Sequence, residues 1–243
     1  MYIEEANECE IENIIRELKN TTATGKDNIQ TEHMKKTGQT IAKAICKLIN
    51  RIIETEIWPD NLKIQIIRPV YKKSNKREIG NYRPIALLSI IDKIIEKFFA
   101  NKINKFFEKF KILSDIQYGY SKGKSTTQLL INLNEIVTKS LNEGKYVGIV
   151  LVDLQKAFDT FDKKILLQKC RKIGLRGKIY NIIESYLDNR KTQVRICGEE
   201  SEYNEINYGV PQGSVLGPLL YLIYTNDISD IELRFFFLQT IQL

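Results

Sequence analysis

From Tyr146 to Val152 the chain is an almost unbroken apolar run, and it ends on a carboxylate, Asp153. Such a run fits a strand buried on both faces, which a fold holds only inside a sheet covered by other layers. Burying an ionised carboxylate costs roughly several kcal/mol unless it is paired or meets a cation, so Asp153 at that strand end calls for one. Mg²⁺ is the natural choice: hard cations take carboxylate, main-chain and phosphate oxygens, and with His33 as the single histidine a zinc or His-base mechanism is hard to build. The plainer alternative is that Asp153 N-caps the helix that follows.

Around this segment the periodicities alternate between helix and short strand. Ile11, Ile14, Ile15 and Leu18 mark an amphipathic helix that runs into the polar Thr21–Asp27 loop. A second apolar stripe runs through Ile41, Ala44, Ile45, Leu48, Ile49, Ile52 and Ile53, and this helix should end near Trp58-Pro59, because proline disfavours the helical conformation of its predecessor. Ile64–Tyr71 is β-branched and short, a predicted strand, and Lys72–Gly80 a basic loop. Ile90–Phe107 repeats Ile and Phe at helical spacing, which assigns those rings to the core rather than to base stacking. Further helices are predicted over Ser125–Leu141, Lys163–Ile173 and Lys178–Leu187, with a turn at Asn142–Lys145. Gln193–Ile196 and Tyr203–Ile206 alternate and join through Cys197-Gly198 as a hairpin.

Charge narrows the partner. Lys and Arg number 37 against 30 Asp and Glu, a net +7 with pI near 9.0, which suits a polyanion such as nucleic acid, although a merely cationic surface reads the same way. Cys9, Cys46, Cys170 and Cys197 show no paired spacing, so reduced thiols in an intracellular protein are expected rather than zinc. The first ten residues are acidic and lack the apolar core of a signal peptide. The longest apolar stretch, Val215–Tyr224, is about half the ~20 residues of a membrane span. No membrane partner is expected.

A second local feature, Tyr208-Gly209-Val210-Pro211-Gln212-Gly213-Ser214-Val215-Leu216-Gly217-Pro218, precedes an apolar helix. Its glycines allow backbone to approach a ligand closely, and Gln212 offers donors and acceptors beside them. Gly119–Ser125 imitates a phosphate-binding loop, but only three residues separate its glycines where four are needed, and no buried-strand composition precedes it.

Taken in order, these segments resemble the reverse transcriptase domain of non-LTR (LINE-type) retrotransposons from Thr24 to Asp227. Thr24-Gly25-Lys26-Asp27-Asn28-Ile29 resembles the family's N-terminal motif, and Trp58-Pro59 with Ile67–Lys73 its first fingers motif. Asn81-Tyr82-Arg83-Pro84 through Ser89, with Lys93 and Glu96, is the most recognisable string; Gln117–Tyr120 with Ser125-Thr126 follows. The Asp153 segment resembles palm motif A and Gly209–Pro218 motif B. A group II intron maturase fits the Asn81–Ser89 string less well.

The resemblance implies an α+β, right-hand polymerase fold without a thumb: fingers with an N-terminal helical extension over 1–145, and a partial palm over 146–230. An antiparallel palm sheet would pair the Asp153 strand with the 193–206 hairpin, backed by helices. It implies RNA-directed DNA polymerisation on an RNA template and DNA primer. Asp153 is the implied catalytic, Mg²⁺-binding residue, helped by the Leu154 carbonyl; the amides near Ala157 and Phe158 meet the incoming deoxynucleoside triphosphate. Phe158 lies under the sugar, where it excludes a 2′-hydroxyl. Lys72 or Lys73 and Arg83 neutralise the triphosphate, and Gln212 and Gly213 border it.

One departure stands out. The family's Ala-Asp-Asp hairpin, motif C, is expected near the end of this sequence, and no Asp-Asp occurs in it. Asp159, Asp227 and Asp230 are poorly placed to substitute. Two-metal chemistry needs both carboxylate sets, so polymerisation by these residues alone is expected to be lost, and a noncatalytic nucleic-acid-binding remnant is the alternative. Residues 231–243 read as an out-of-frame tail: codons for Phe-Ala-Asp-Asp-Thr-Thr read one nucleotide late can give Leu238–Leu243. The nucleotide sequence tests that. An apolar edge beside motif A is expected to favour aggregation.

Overall fold

The computed structural model describes residues 1–121, 123–151 and 157–230. In chain order come helices α1 (Glu8–Glu17) and α2 (Thr31–Thr55), strands β1 (Ile64–Tyr71) and β2 (Tyr82–Leu87), and the long helix α3 (Ile90–Phe110). Helices α4 (Thr126–Asn142), α5 (Ala157–Thr160), α6 (Lys163–Lys172) and α7 (Lys178–Leu187) follow, then strands β3 (Lys191–Ile196), β4 (Glu199–Glu200) and β5 (Asn204–Glu205), and helix α8 (Leu216–Thr225). The fold is mixed α+β, with one small sheet.

The helices form where the apolar spacing places them, and local chemistry sets their ends. Asn7 caps α1 by accepting the Glu10 amide at 2.9 Å, and Ile11, Ile14 and Ile15 turn inward. Helix α2 kinks at Gly38 (φ 21°), and Ile45, Ile49, Ile52 and Ile53 bury its regular half. It stops at Thr55, before the expected Trp58-Pro59, because Glu56 turns left-handed (φ 63°) and returns its amide to the Ile52 carbonyl at 2.8 Å. Ser89 caps α3 and left-handed Lys111 (φ 49°) ends it. Helices α1, α2, α3, α6, α7 and α8 share one core, in which Trp58, Phe98, Phe99 and Tyr186 are fully buried.

Helix α4 stands apart. Ser125 and Gln128 form a complete capping box at its start, yet Leu129 is its one buried residue, and Leu130, Ile131 and Leu141 face solvent.

The sheet runs β2-β1-β3-β4, with β5 also paired to β3. Strands β1 and β2 are antiparallel, with Val70 opposite Arg83 and Tyr71 opposite Tyr82. The expected turn is present, but across it Gln193–Ile196 meets Glu199–Glu200 first rather than Tyr203–Ile206: Cys197 (φ 51°) and Gly198 (φ 91°) set Ile196 opposite Glu199. Strand β5 returns to pair Lys191 with Glu205.

Two expectations fail. Among the described residues the 193–206 hairpin joins β1 rather than residues 146–151: β3 lies parallel to β1, Ile64 opposite Lys191 and Ile67 opposite Val194, so the sheet is mixed rather than antiparallel. Residues 146–151 form no strand, and they are exposed rather than buried: Tyr146, Val150 and Leu151 are open to solvent at 103%, 86% and 91%. Apolarity makes a segment able to fill a sheet, but a strand exists only where a neighbour takes its N–H and C=O groups. Among the described residues β1 has β2 and β3 on its two edges, and no strand of the sheet pairs with 146–151.

Candidate nucleotide-binding site

The Tyr208–Pro218 loop docks, backbone to backbone, on the turn that follows Asp153. The Gly209 amide donates to the Phe161 carbonyl at 2.9 Å and the Val210 amide to the Phe158 carbonyl at 2.8 Å. A side chain at Gly209 (φ 68°) would overlap the Phe158 oxygen and come within 2.7 Å of Asp159 backbone. The second anchor is β2, where the Ala86 amide donates to the Gln212 carbonyl at 3.0 Å. Gly213 (φ 124°) fits there because a Cβ would stand 2.8 Å from the Ala86 oxygen. The close approach that these glycines allow is thus to the protein's own backbone. Ser214 closes the loop, its hydroxyl accepting from the Gly217 amide at 2.9 Å.

This docking collects several of the sequence-derived candidates. Phe158, in α5, is half-buried between Tyr221 (ring centroids 5.4 Å) and Tyr120 (6.1 Å). Gln212 is half-buried and Gly213 exposed on the loop. Arg83 sits on β2 three residues before Ala86, ~10 Å along the strand at ~3.3 Å per residue. Lys72 and Lys73 are both exposed just beyond β1, and the Lys72 amide extends the ladder by donating to the Asn81 carbonyl at 2.9 Å. Strand alternation carries Lys72 onto the face shared by Val70 and Arg83 and turns Lys73 to the other. Asp153 and Leu154 lie outside the described residues, as does the side chain of Ala157.

Among the described residues no group of three His, Cys, Asp or Glu side chains could hold a metal ion. These residues by themselves make no Mg²⁺ site, and the case for the ion rests on Asp153 and on what the family uses. The phosphate-loop imitation is likewise a different structure: no strand precedes it among residues 111–121, and Ser125 is a helix cap.

A buried polar cluster behind the loop was not among the sequence-derived site candidates. Asp92 and Glu96 on α3 are fully buried, and Arg190, just before β3, is 1% exposed. Trp58 donates its indole N–H to Asp92 at 2.9 Å, Arg190 faces Asp92 at 3.6 Å, and the Tyr186 hydroxyl donates to Glu96 at 2.7 Å. The other Glu96 oxygen accepts from the Val215 amide and, at 3.3 Å, from the Leu216 amide. Burial, then the Glu96 charge, pushes the Asp92 carboxyl up to about 8. Burial also raises Glu96, against the pull of Arg190 and of its own hydrogen bonds. Arg190 draws both acids toward ionisation, and Glu96 accepts the larger set of hydrogen-bond donors. A signal for this cluster existed: Asp92, Glu96, Phe99 and Ile103 recur at i, i+4, i+7 and i+11, so both acids fall on an apolar helical row.

A family model for reverse transcriptase (RNA-dependent DNA polymerase) matches residues 70–239. The chain is 31% identical over 220 residues to the probable RNA-directed DNA polymerase from transposon BS of Drosophila melanogaster, covering 90% of this chain and 24% of that protein. It is also 31% identical over 229 residues to the probable RNA-directed DNA polymerase from transposon X-element of the same fly, covering 94% and 25%. To the RNA-directed DNA polymerase from the mobile element jockey it is 26% identical over 220 residues, covering 90% and 24%. The chain therefore belongs to the reverse transcriptase family, in its non-LTR, LINE-type branch. It spans about a quarter of the length of these relatives. Among the described residues no helix is long and apolar enough to cross a membrane.

Proposed function

We propose that the chain is the part of an RNA-directed DNA polymerase that receives a deoxynucleoside triphosphate against an RNA template and DNA primer, acting inside the cell. The observation that carries this is the backbone docking of the Gly209–Ser214 loop on the Phe158 turn and on β2, the strand that also carries Arg83. Arg83 bonds the triphosphate bidentately, as a guanidinium can and an ammonium cannot. Lys72, which shares that face, or Lys73 adds charge. The Ala157 and Phe158 amides and the Leu154 carbonyl complete the nucleotide's surroundings, and the Phe158 ring excludes a 2′-hydroxyl. Residues 1–145 act as fingers and 146–230 as part of the palm. Asp153 is the residue that would hold Mg²⁺, which would supply Lewis-acid charge stabilisation for nucleotidyl transfer.

The sequence holds no Asp-Asp pair, and this favours a second reading for the 243 residues alone: nucleic-acid binding without extension. Primer extension on an RNA template with Mg²⁺ and deoxynucleotides, run beside a salt titration of primer–template binding, separates the two. Binding that weakens linearly in log salt is expected, with a slope of about −0.7 to −0.9 per phosphate neutralised. Extension is expected to stay at background, and to emerge when an Ala-Asp-Asp hairpin is supplied. Salt-independent binding would sink both readings.

A further inference from the structure

Glu96 belongs to the string that marks the family in this sequence, yet no step of the chemistry proposed above uses it. It is buried on α3 within the field of Arg190, where replacing a whole buried ion pair by apolar side chains is often neutral or stabilising, so net stability is a weak reason for such a cluster to be there. What it touches is more specific. Its Oε2 accepts the Val215 and Leu216 amides, the first donors of α8, while Oε1 accepts the Tyr186 hydroxyl at 2.7 Å. Val215, at the N-cap position of α8, caps nothing with its side chain, and the local Ser214 hydroxyl takes only the Gly217 amide. Helix starts leave such amides without internal partners and favour negative charge, so a carboxylate from another helix does here what a local cap does elsewhere.

The position matters because of what precedes it. Val215 follows directly on Gln212-Gly213-Ser214, and that loop is otherwise held through Val210 to Phe158 and through Gln212 to Ala86. We infer that Glu96 is a positioning residue for the nucleotide-binding loop: its carboxylate fixes the start of α8, and with it where Gln212 and Gly213 stand relative to Phe158. Trp58, Asp92 and Arg190 hold α3 and the segment before β3 around that carboxylate. The inference deepens, and rests on, the proposal that Gln212 and Gly213 border the nucleotide.

The test uses the full 243-residue chain with Glu96→Leu and Glu96→Gln. Amide hydrogen exchange is measured at residues 209–217 and across α2 and α3. Affinity for Mg²⁺–dTTP is measured on the chain bound to an RNA/DNA primer–template with a blocked 3′ end. In Glu96→Leu the Val215 and Leu216 amides are expected to exchange ~10-fold faster or more, as the loss of hydrogen bonds to a charged acceptor predicts. Protection in α2 and α3 should fall clearly less than at Val215 and Leu216, although Arg190 and Tyr186 also lose a partner. The dTTP affinity should fall by about 10-fold while primer–template affinity stays the same, a split that a general loss of stability does not produce. Glu96→Gln keeps an acceptor oxygen and should remain within about threefold of the parent in both. Unchanged protection at Val215 and Leu216 in Glu96→Leu overturns the inference, as does faster exchange spread evenly through α2, α3 and α8, or a Glu96→Gln chain as impaired as Glu96→Leu. A parent chain that binds primer–template but no dTTP would refute the nucleotide reading of Gln212 and Gly213, while the exchange pattern would still decide whether Glu96 holds the loop.

Discussion

Gly209 is the residue whose identity is most narrowly set by its surroundings. Its φ of 68° and the Phe158 and Asp159 backbone against it leave no room for a methyl group. Gly209→Ala combines left-handed strain of about 1–2 kcal/mol with overpacking of about 1–3 kcal/mol, so a loss of about 2–5 kcal/mol in urea denaturation is expected. Asp92 gives a pH-dependent counterpart. Its carboxyl titrates at about 8 in the folded chain against an ordinary 3.8. Below 3.8 both folded and unfolded chains carry the proton, so nothing is lost there. As pH rises toward 8 the unfolded chain releases its proton first and the folded state is progressively disfavoured, by at most ~1.4 kcal/mol per pH unit; above 8 the penalty is constant. Asp92→Asn keeps an acceptor for Trp58 and should flatten this fall between pH 4 and 8. Urea midpoints measured across that range check it, and an unaltered slope would place the proton on another group.

At the scale of elements, helices were the most legible part. Each apolar stripe from Ile11 to Leu187 corresponds to an observed helix, because a stripe that must face a core leaves little choice of conformation. Ends were less legible: the stop of α2 at Glu56 is a left-handed turn with no glycine to announce it. Strand β1 and the Cys197-Gly198 hairpin were readable from β-branching and turn chemistry; their pairing was not, since β3 meets β1 across more than a hundred residues of sequence. Helix α4 shows the reverse situation, strong local signals with little tertiary packing. Ser125→Ala removes its capping box and should cost about 1 kcal/mol locally. Faster exchange confined to the first turn of α4 is expected, with the main unfolding transition unmoved, because this helix is tied to the rest by little more than buried Leu129 and the Asn132–Tyr118 hydrogen bond.

The whole molecule combines a covered core with uncovered apolar surface. Tyr146, Ile149, Val150 and Leu151 follow α4, whose Leu130, Ile131 and Leu141 are also exposed. Apolar surface of this extent promotes self-association. A Val150→Thr, Leu151→Lys double variant should raise the concentration at which light scattering begins, while leaving the unfolding midpoint within about 0.5 kcal/mol, as expected for exposed positions. A chain that scatters equally with both residues replaced would show that association runs through another surface.

By itself the sequence determined the family, through ordered motifs, and the helices, through a spacing that each segment carries internally. It also supplied the candidates Lys72, Arg83, Phe158, Gln212 and Gly213 by resemblance. Tertiary structure alone decided that the Gly209 loop rests on Phe158 and β2, that β3 joins β1, that residues 146–151 are bare, and that Glu96 reaches α8. The division has a physical cause. A helix satisfies its backbone within a few residues of sequence, whereas a strand, a buried carboxylate and a glycine pressed against backbone each need a partner that only the folded chain brings into reach.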